Sequence, residues 1–227
     1  MSTTDPGRAV EDYVKAIYRL ERESGCGEAA IGALAELLAV TPGSASAMVK
    51  RLDEQGLVDH RPYRGVSLTP EGERIALTVI RRHRLIESFL AEELGMPWDE
   101  VHREAEVIEH VVSDVVIERM AAKLGDPTHD PHGDPIPSRE LQLNERPTTT
   151  LWDAPDGATL ELARVSDADP QMLRYLAECG IGPGTPITIL AHDPFEGPVQ
   201  VRVKRRRHAI GRALARAMEL GAPEERR

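Results

Sequence analysis

Two stretches of helically spaced apolar residues, Ile31/Leu34/Leu37/Leu38 and Met48/Val49/Leu52, stand only about three residues apart, with Thr41-Pro42 opening the second. A threonine before a proline supplies the N-cap and first-turn residue of a helix, and Gly56 supplies its stop. After Gly56 the period changes. Leu57-Val58 and Val66-Ser67-Leu68 are short apolar runs on either side of Arg61-Pro62-Tyr63-Arg64-Gly65, the pattern of a small β-hairpin with a basic tip. A helix-turn-helix followed by such a hairpin is a winged helix.

The rest of the chain is arranged around that unit. Val10, Val14, Ile17 and Leu20 predict a helix with one buried face ahead of it. Thr69-Pro70 caps a long helix reaching Leu94 and ended by Gly95. Two further helices are expected over 98–110 and 113–124, with Ser113 as an N-cap and Gly125 as a stop. Residues 126–150 hold five prolines and little periodicity, so they read as a linker or an ordered Pro-rich loop. Beyond them, β-like runs at Thr159 to Val165, Ile187 to Leu190 and Val199 to Val203 alternate with helical patterns at 170–178 and 208–220, which suits a small barrel-like domain.

With 227 residues, 41% hydrophobic and 29% charged, the chain has the composition of a folded protein with a sizeable core. It contains no uncharged apolar run of about 18 residues, and MSTTDPGRAVEDY has no basic start followed by an apolar stretch, so the expected location is the cytoplasm, away from any membrane. Cys26 and Cys179 form no CxxC pair and read as inert thiols. The net charge of −10 argues against a general nucleic-acid coat protein, yet residues 1–70 carry 8 basic and 10 acidic side chains, so the winged helix is the part least hostile to a polyanion.

In EVHREAEVIEHVVSD, the side chains of His102, Glu106, Glu109 and His110 span an arc of about 100° on a helix, opposite Val101, Ala105, Ile108 and Val112. Such a face is either a solvated acidic surface or a metal site. His83 and Glu87 form an i,i+4 pair on the preceding helix, and Asp12 lies among apolar residues on the first. All these donors are carboxylate oxygens or imidazole nitrogens, which suit manganese or ferrous iron with more than four ligands, although zinc and copper would also bind tightly. For DNA, the first turn after the helix-turn-helix corner offers Thr41, Gly43, Ser44, Ser46 and Ala47 to base edges and phosphates, while Lys50, Arg51, Arg61 and Arg64 add positive charge on that helix and the wing. The alternative is an ordinary α-hairpin. The basic run from Arg202 to Arg207 reads as a charged strand edge. GxGxxG, P-loop, GxSxG, HExxH and ExxH patterns are all missing, so a helical metalloenzyme is the weaker rival. A metal-free winged-helix sensor of an organic ligand would leave the Glu106/Glu109/His110 face unexplained.

EDYVKAIYRLE, TPGSASAMVKRLDEQGLV, RRHRLIESFL and WDEVHREAEVIEHVVSD followed by DPHGDPIP resemble the diphtheria toxin repressor family of metal-dependent transcriptional regulators, especially its manganese-responsive members. The match covers residues 8 to about 137, and SDADPQMLRYLAECGI extends it toward the C-terminus. The resemblance implies a mainly α protein with a small β part. Its domains would be a winged helix-turn-helix DNA-binding domain at 1–72, a helical metal-binding and dimerisation domain at 73–137, a linker at 138–150 and an SH3-like domain at 151–227. It implies one metal site from Asp12, Glu106, Glu109 and His110 and another from His83, Glu87 and His102, with Asp169 and Gln171 as third-domain ligands. Aspartate and glutamate at positions 12 and 106 follow the manganese-responsive pattern, where iron-responsive members carry methionine and cysteine. Lys15 departs from a two-domain manganese type, which has glutamate there, so the paired-manganese arrangement of that type does not transfer. The implied function is a Mn2+-dependent repressor of metal-uptake genes, with Fe2+ or Co2+ as alternative activators. Its homodimer becomes competent for a pseudo-palindromic double-stranded operator when metal binds, with one or two dimers per operator.

Overall fold

The computed structural model describes residues 6–25, 27–61 and 64–222, so Cys26 and the hairpin-tip residues Pro62 and Tyr63 lie outside the described residues. The chain divides into two compact units. The first comprises the residues up to His83 together with Ile108–Val112 and Pro137–Gln142.

This first unit is the winged helix. It contains α1 (Pro6–Ser24), α2 (Ile31–Leu37), α3 (Pro42–Glu54), β1 (Val58–Arg61), β2 (Gly65–Leu68) and the start of α4 (Pro70–Glu92). Its core joins Tyr13, Ala16 and Ile17 of α1 to Leu34 of α2, Ala45, Val49 and Leu52 of α3, and Val58 and Val66 of the hairpin. Leu34, Val49 and Leu52 are fully buried, and truncating such a leucine to alanine costs about 2–5 kcal/mol. The hairpin pairs Val58 with Leu68 and Arg61 with Gly65. Thr69 Oγ1 accepts the Gly72 N–H at 3.2 Å and donates to the Gly56 carbonyl at 2.8 Å, tying the start of α4 to the wing. A Cβ on Gly72 would lie 2.0 Å from the Leu57 carbonyl oxygen, so only glycine permits that approach.

The second unit holds the remainder of α4, most of α5 (Val101–Ile108), α6 (Asp114–Lys123), α7 (Pro170–Cys179), α8 (Arg212–Ala217) and a six-stranded antiparallel sheet. The strands β3 (Thr149–Thr150), β4 (Thr159–Val165), β5 (Pro186–His192), β6 (Val199–Val203), β7 (Arg206–Ile210) and β8 (Met218–Gly221) lie in the order β3-β8-β4-β5-β6-β7. Alternate residues Ile187, Ile189, Val199, Val201 and Val203 fill its core with Leu173 and Leu176 of α7. Together these features give the mainly α protein with a small C-terminal SH3-like β domain that the sequence implied.

Several boundaries differ from the sequence reading. The helical pattern at 208–220 resolves into the end of β7, the short α8 and then β8, because Met218 and Leu220 are buried while Glu219 and Gly221 are not, a strand period that inserts between β3 and β4. The helices expected at 98–110 and 113–124 shorten to Val101–Ile108 and Asp114–Lys123, and Ser113 stands at the N-cap without a side-chain capping bond. Arg206 and Arg207 lie exposed on the edge strand β7, the charged-edge arrangement expected of that run. Among the described residues no single helix is long and apolar enough to cross a membrane.

Candidate metal centres and nucleic-acid face

In the first unit, α1 turns Tyr13, Ala16 and Ile17 into the core, while Glu11, Asp12 and Lys15 meet the turn that follows α5. That turn carries Glu109, fully buried, and His110. His110 Nε2 lies 2.9 Å from Asp12 Oδ1 and 3.3 Å from Glu109 Oε1, and its Nδ1 lies 2.7 Å from Glu11 Oε2. Although it faces two carboxylates, Nε2 is buried with no hydrogen-bond partner. A buried imidazole nitrogen without a partner needs an explanation. The ligand atoms of Asp12, Glu109 and His110 all lie within 4.8 Å of one another, and donors at about 2.1 Å from one cation stand about 3 Å apart when adjacent. These side chains fit a divalent metal.

Lys15 shapes this centre. Its Nζ donates to both Glu109 oxygens at 3.0 Å and lies 3.1 Å from His83 Nδ1, which in turn lies 2.5 Å from Glu109 Oε2. Burial pushes the Glu109 carboxyl up, but the His83 bond and the Lys15 charge outweigh it, so the group is held below the usual carboxylate range. A fixed ammonium thus stands against the glutamate, and His83 bonds to Glu109 of this first centre.

A second cluster lies in the second unit. His102 Nδ1 lies 2.8 Å from Asp167 Oδ2 and 3.2 Å from Glu87 Oε1, and its Nε2 lies 3.8 Å from Glu106 Oε1. Hydrogen bonds from Asp167 and Glu87 raise the His102 pKa to about 10. Burial pushes Asp167 up, but the His102 bond and charge hold it at about 2. The third-domain residue beside His102 is therefore Asp167, not Asp169 or Gln171. Asp169 is occupied as the N-cap of α7, where its Oδ1 accepts the Gln171 backbone N–H at 2.9 Å. An aspartate directly before a proline carries that N-cap signal, so Asp167 was the acid left available.

Sequence reasoning also passed over Asp130 and His132, in the Pro-rich segment. Both are buried and cluster with Glu87. Asp130 lies well above the usual aspartate range, through burial first and then the neighbouring Asp134 and Glu87 charges, with Arg84 opposing.

The nucleic-acid face is small and exposed where the sequence placed it. Thr41 Oγ1 accepts the Ser44 N–H at 3.1 Å and caps α3, leaving Gly43, Ser44, Ser46 and Ala47 exposed on its first turns. Arg51 and Arg64 are exposed, Lys50 lies 3.9 Å from Glu54, and Arg61 lies 3.8 Å from Glu28. On α5, α6 and the turn between them, Val107, Val111 and Val115 are 58%, 82% and 70% exposed, more than isolated helices of a monomer need to be.

The family described as "Iron dependent repressor, N-terminal DNA binding domain" matches residues 7–66, and "Iron dependent repressor, metal binding and dimerisation domain" matches 69–138. A FeoA domain matches 149–220. The diphtheria toxin repressor of Corynebacterium efficiens is 35% identical over 191 residues, spanning 79% of this chain and 82% of that protein. The HTH-type transcriptional regulator MntR of Lysinibacillus sphaericus is 36% identical over 116 residues, spanning 51% of this chain and 81% of its own. A solved structure described as "Manganese-dependent transcriptional repressor complex with manganese" is 44% identical with a TM-score of 0.88, covering 94% of this chain and 99% of that one. These relatives are repressors rather than enzymes. The chain belongs to the iron-dependent (diphtheria toxin) repressor family and is a metal-dependent transcriptional repressor.

Proposed function

We propose that this repressor responds to manganese and that its metal-loaded homodimer silences metal-uptake genes from a pseudo-palindromic operator, with one or two dimers per site. The observation that carries the reading is the buried His110 Nε2, which faces Asp12 and Glu109 without a hydrogen-bond partner. Asp12, Glu106, Glu109 and His110 are the proposed ligands of one site, and His83, Glu87 and His102 with Asp167 those of a second. Oxygen and nitrogen donors alone, with no thiolate or thioether, favour a hard or borderline cation. The manganese-named relative at 44% identity supports that choice, while Fe2+ and Co2+ suit the same donors and are the alternative activators.

Bound metal supplies a positive charge shared by side chains from separate parts of the chain. Asp12 brings α1, and with it the helix-turn-helix core, to Glu109 and His110. Thr41, Gly43, Ser44, Ser46 and Ala47 then meet base edges and phosphates, with Lys50, Arg51, Arg61 and Arg64 at the backbone. Two such faces must stand about 34 Å apart to read a palindrome. The exposed valines of α5 and α6 fit the dimer contact. Action on an operator places the protein in the cytoplasm.

The test is selection of bound duplexes from a random library, followed by affinity measurements on the selected sequence at matched free Mn2+, Fe2+ and Co2+ and in chelator, under anaerobic conditions. Tight binding in manganese and loss in chelator are expected. Metal-independent binding would overturn the reading, and a stronger response to iron would overturn the choice of manganese.

A further inference from the structure

The loop that carries Asp130 and His132 is held rigidly. Asp130 Oδ1 accepts the backbone N–H groups of His132 and Asp134, both at 2.9 Å. The His132 carbonyl accepts the Val165 N–H at 2.9 Å, which fastens the loop to the end of β4, two residues before Asp167. Gly133, at φ +91°, packs so closely that a Cβ there would lie 2.0 Å from the Ala163 carbonyl oxygen. A loop under these constraints presents its side chains in one arrangement.

His132 is fully buried and stacked on Trp98, with ring centroids 5.8 Å apart. Its Nε2 lies 2.7 Å from the Trp98 carbonyl oxygen. A carbonyl only accepts, so Nε2 carries the proton and the neutral ring leaves its lone pair on Nδ1. A bond from the distal nitrogen to a carbonyl is the outer-shell support that metal-binding histidines commonly use. Nδ1 is buried with no hydrogen-bond partner and lies 4.0 Å from Glu87 Oε2. The ligand atoms of Glu87, Asp130 and His132 lie within 4.8 Å of one another, and all three residues are buried. A purely structural histidine accounts for the stack and the Trp98 bond but not for the bare Nδ1. Arg84, 3.7 Å from Asp130 Oδ2, is the cation recorded beside that acid, and it also bonds the Pro135 carbonyl and Asp134.

We propose that Glu87, Asp130 and His132 form an additional site for a borderline divalent cation, with Glu87 shared between it and the His102/Asp167 centre. The sharing follows from the two carboxylate oxygens of Glu87, since Oε1 lies 3.2 Å from His102 Nδ1 and Oε2 lies on the His132 side. The separation of 4.0 Å between Oε2 and Nδ1 falls within the range of about 3–4.3 Å open to two donors of one cation. With Nε2 holding the ring proton, binding at Nδ1 displaces none. This site rests on the proposed function only through Glu87.

Manganese itself is the probe. Full-length parent, His132→Phe and Asp130→Asn are dialysed to equilibrium against a series of free Mn2+ concentrations, and bound metal per chain is counted. Phenylalanine keeps the aromatic stack on Trp98, and asparagine keeps the oxygen that accepts the two backbone N–H groups. The parent is expected to bind one more equivalent per chain than His132→Phe, and Asp130→Asn to bind that equivalent at least tenfold more weakly. Superimposable isotherms for parent and both variants would overturn the proposal. Should His132→Phe not fold, as judged by its thermal transition in chelator, the Asp130→Asn isotherm decides alone. An Asp12→Ala/His110→Ala protein separates the two readings: if it loses no equivalent the proposed function fails, while loss of one in His132→Phe still upholds the additional site.

Discussion

Lys15 offers a direct measure of how the first centre is balanced without metal. Its ammonium, 20% exposed, donates to both oxygens of a glutamate that is fully buried. Removing one partner of a buried ion pair costs about 3–5 kcal/mol, because the other charge is left uncompensated. His83, 2.5 Å from the same carboxylate, can carry a proton and recover part of this, leaving about 2–3 kcal/mol. For a chain of this length one kcal/mol moves a thermal midpoint by about 2–4 °C. Lys15→Met, which keeps the volume and the apolar stem, should therefore lower the midpoint by about 4–12 °C in chelator. The loss should shrink in saturating Mn2+, because a cation held by Asp12, Glu109 and His110 supplies the missing charge. Differential scanning calorimetry in chelator and in manganese reads both effects. Equal midpoints for parent and variant in chelator would refute the role of Lys15 as countercharge.

Two other measurements follow from the geometry. Arg51→Ala should weaken operator binding with metal occupancy unchanged, and flatten the log-log salt dependence by about 0.9 if the guanidinium meets one phosphate; an unchanged slope would remove Arg51 from the DNA backbone. His102, raised to about 10 by Asp167 and Glu87, must lose its proton to coordinate through both nitrogens of its site. Its ion pair with these acids stabilises the metal-free fold fully below the unfolded histidine pKa of about 6.5 and is lost as pH rises through the folded value. Manganese affinity in an Asp12→Ala/His110→Ala background should accordingly rise about tenfold per pH unit between about pH 7 and pH 9, and calorimetric titration in buffers of different ionisation enthalpy should find about one proton released; a pH-independent affinity would show that His102 holds no such proton.

The helix-turn-helix was legible because local signals agree there. Thr41-Pro42 caps α3, as the Thr41–Ser44 bond shows, and apolar spacing predicts the faces that meet in the core. The strands β4 and β6 were readable to the residue, since their alternation is undisturbed. The segment HAIGRALARAMEL misled because alanine, leucine and arginine favour a helix locally. Only pairing with β3 and β4 forces its last four residues to extend. The metal-binding face of α5 was visible in its helical spacing, whereas Asp130 and His132 sit in a loop held by backbone bonds that leave no periodic trace. Between Asp167 and Asp169, the choice turned on a cap: Asp169 precedes Pro170 and its oxygen is spent on the Gln171 N–H.

The placement of Lys15 also bears on how strongly metal can switch the protein. Moving an equilibrium from 1:99 to 99:1 requires about 5.5 kcal/mol of differential binding, and only contacts absent from the metal-free form contribute to it. Here α1 is already tied to the turn after α5 by two Lys15 bonds to Glu109 and by Glu11 to His110. Those contacts hold the first unit together before any cation arrives. The response must then come from Asp12 and the unpartnered His110 Nε2, the donors whose pairing in the metal-free centre is incomplete. A centre built in this way keeps its helix-turn-helix in register at all times, and it reserves for the metal only those few side chains through which occupancy can change the preferred arrangement.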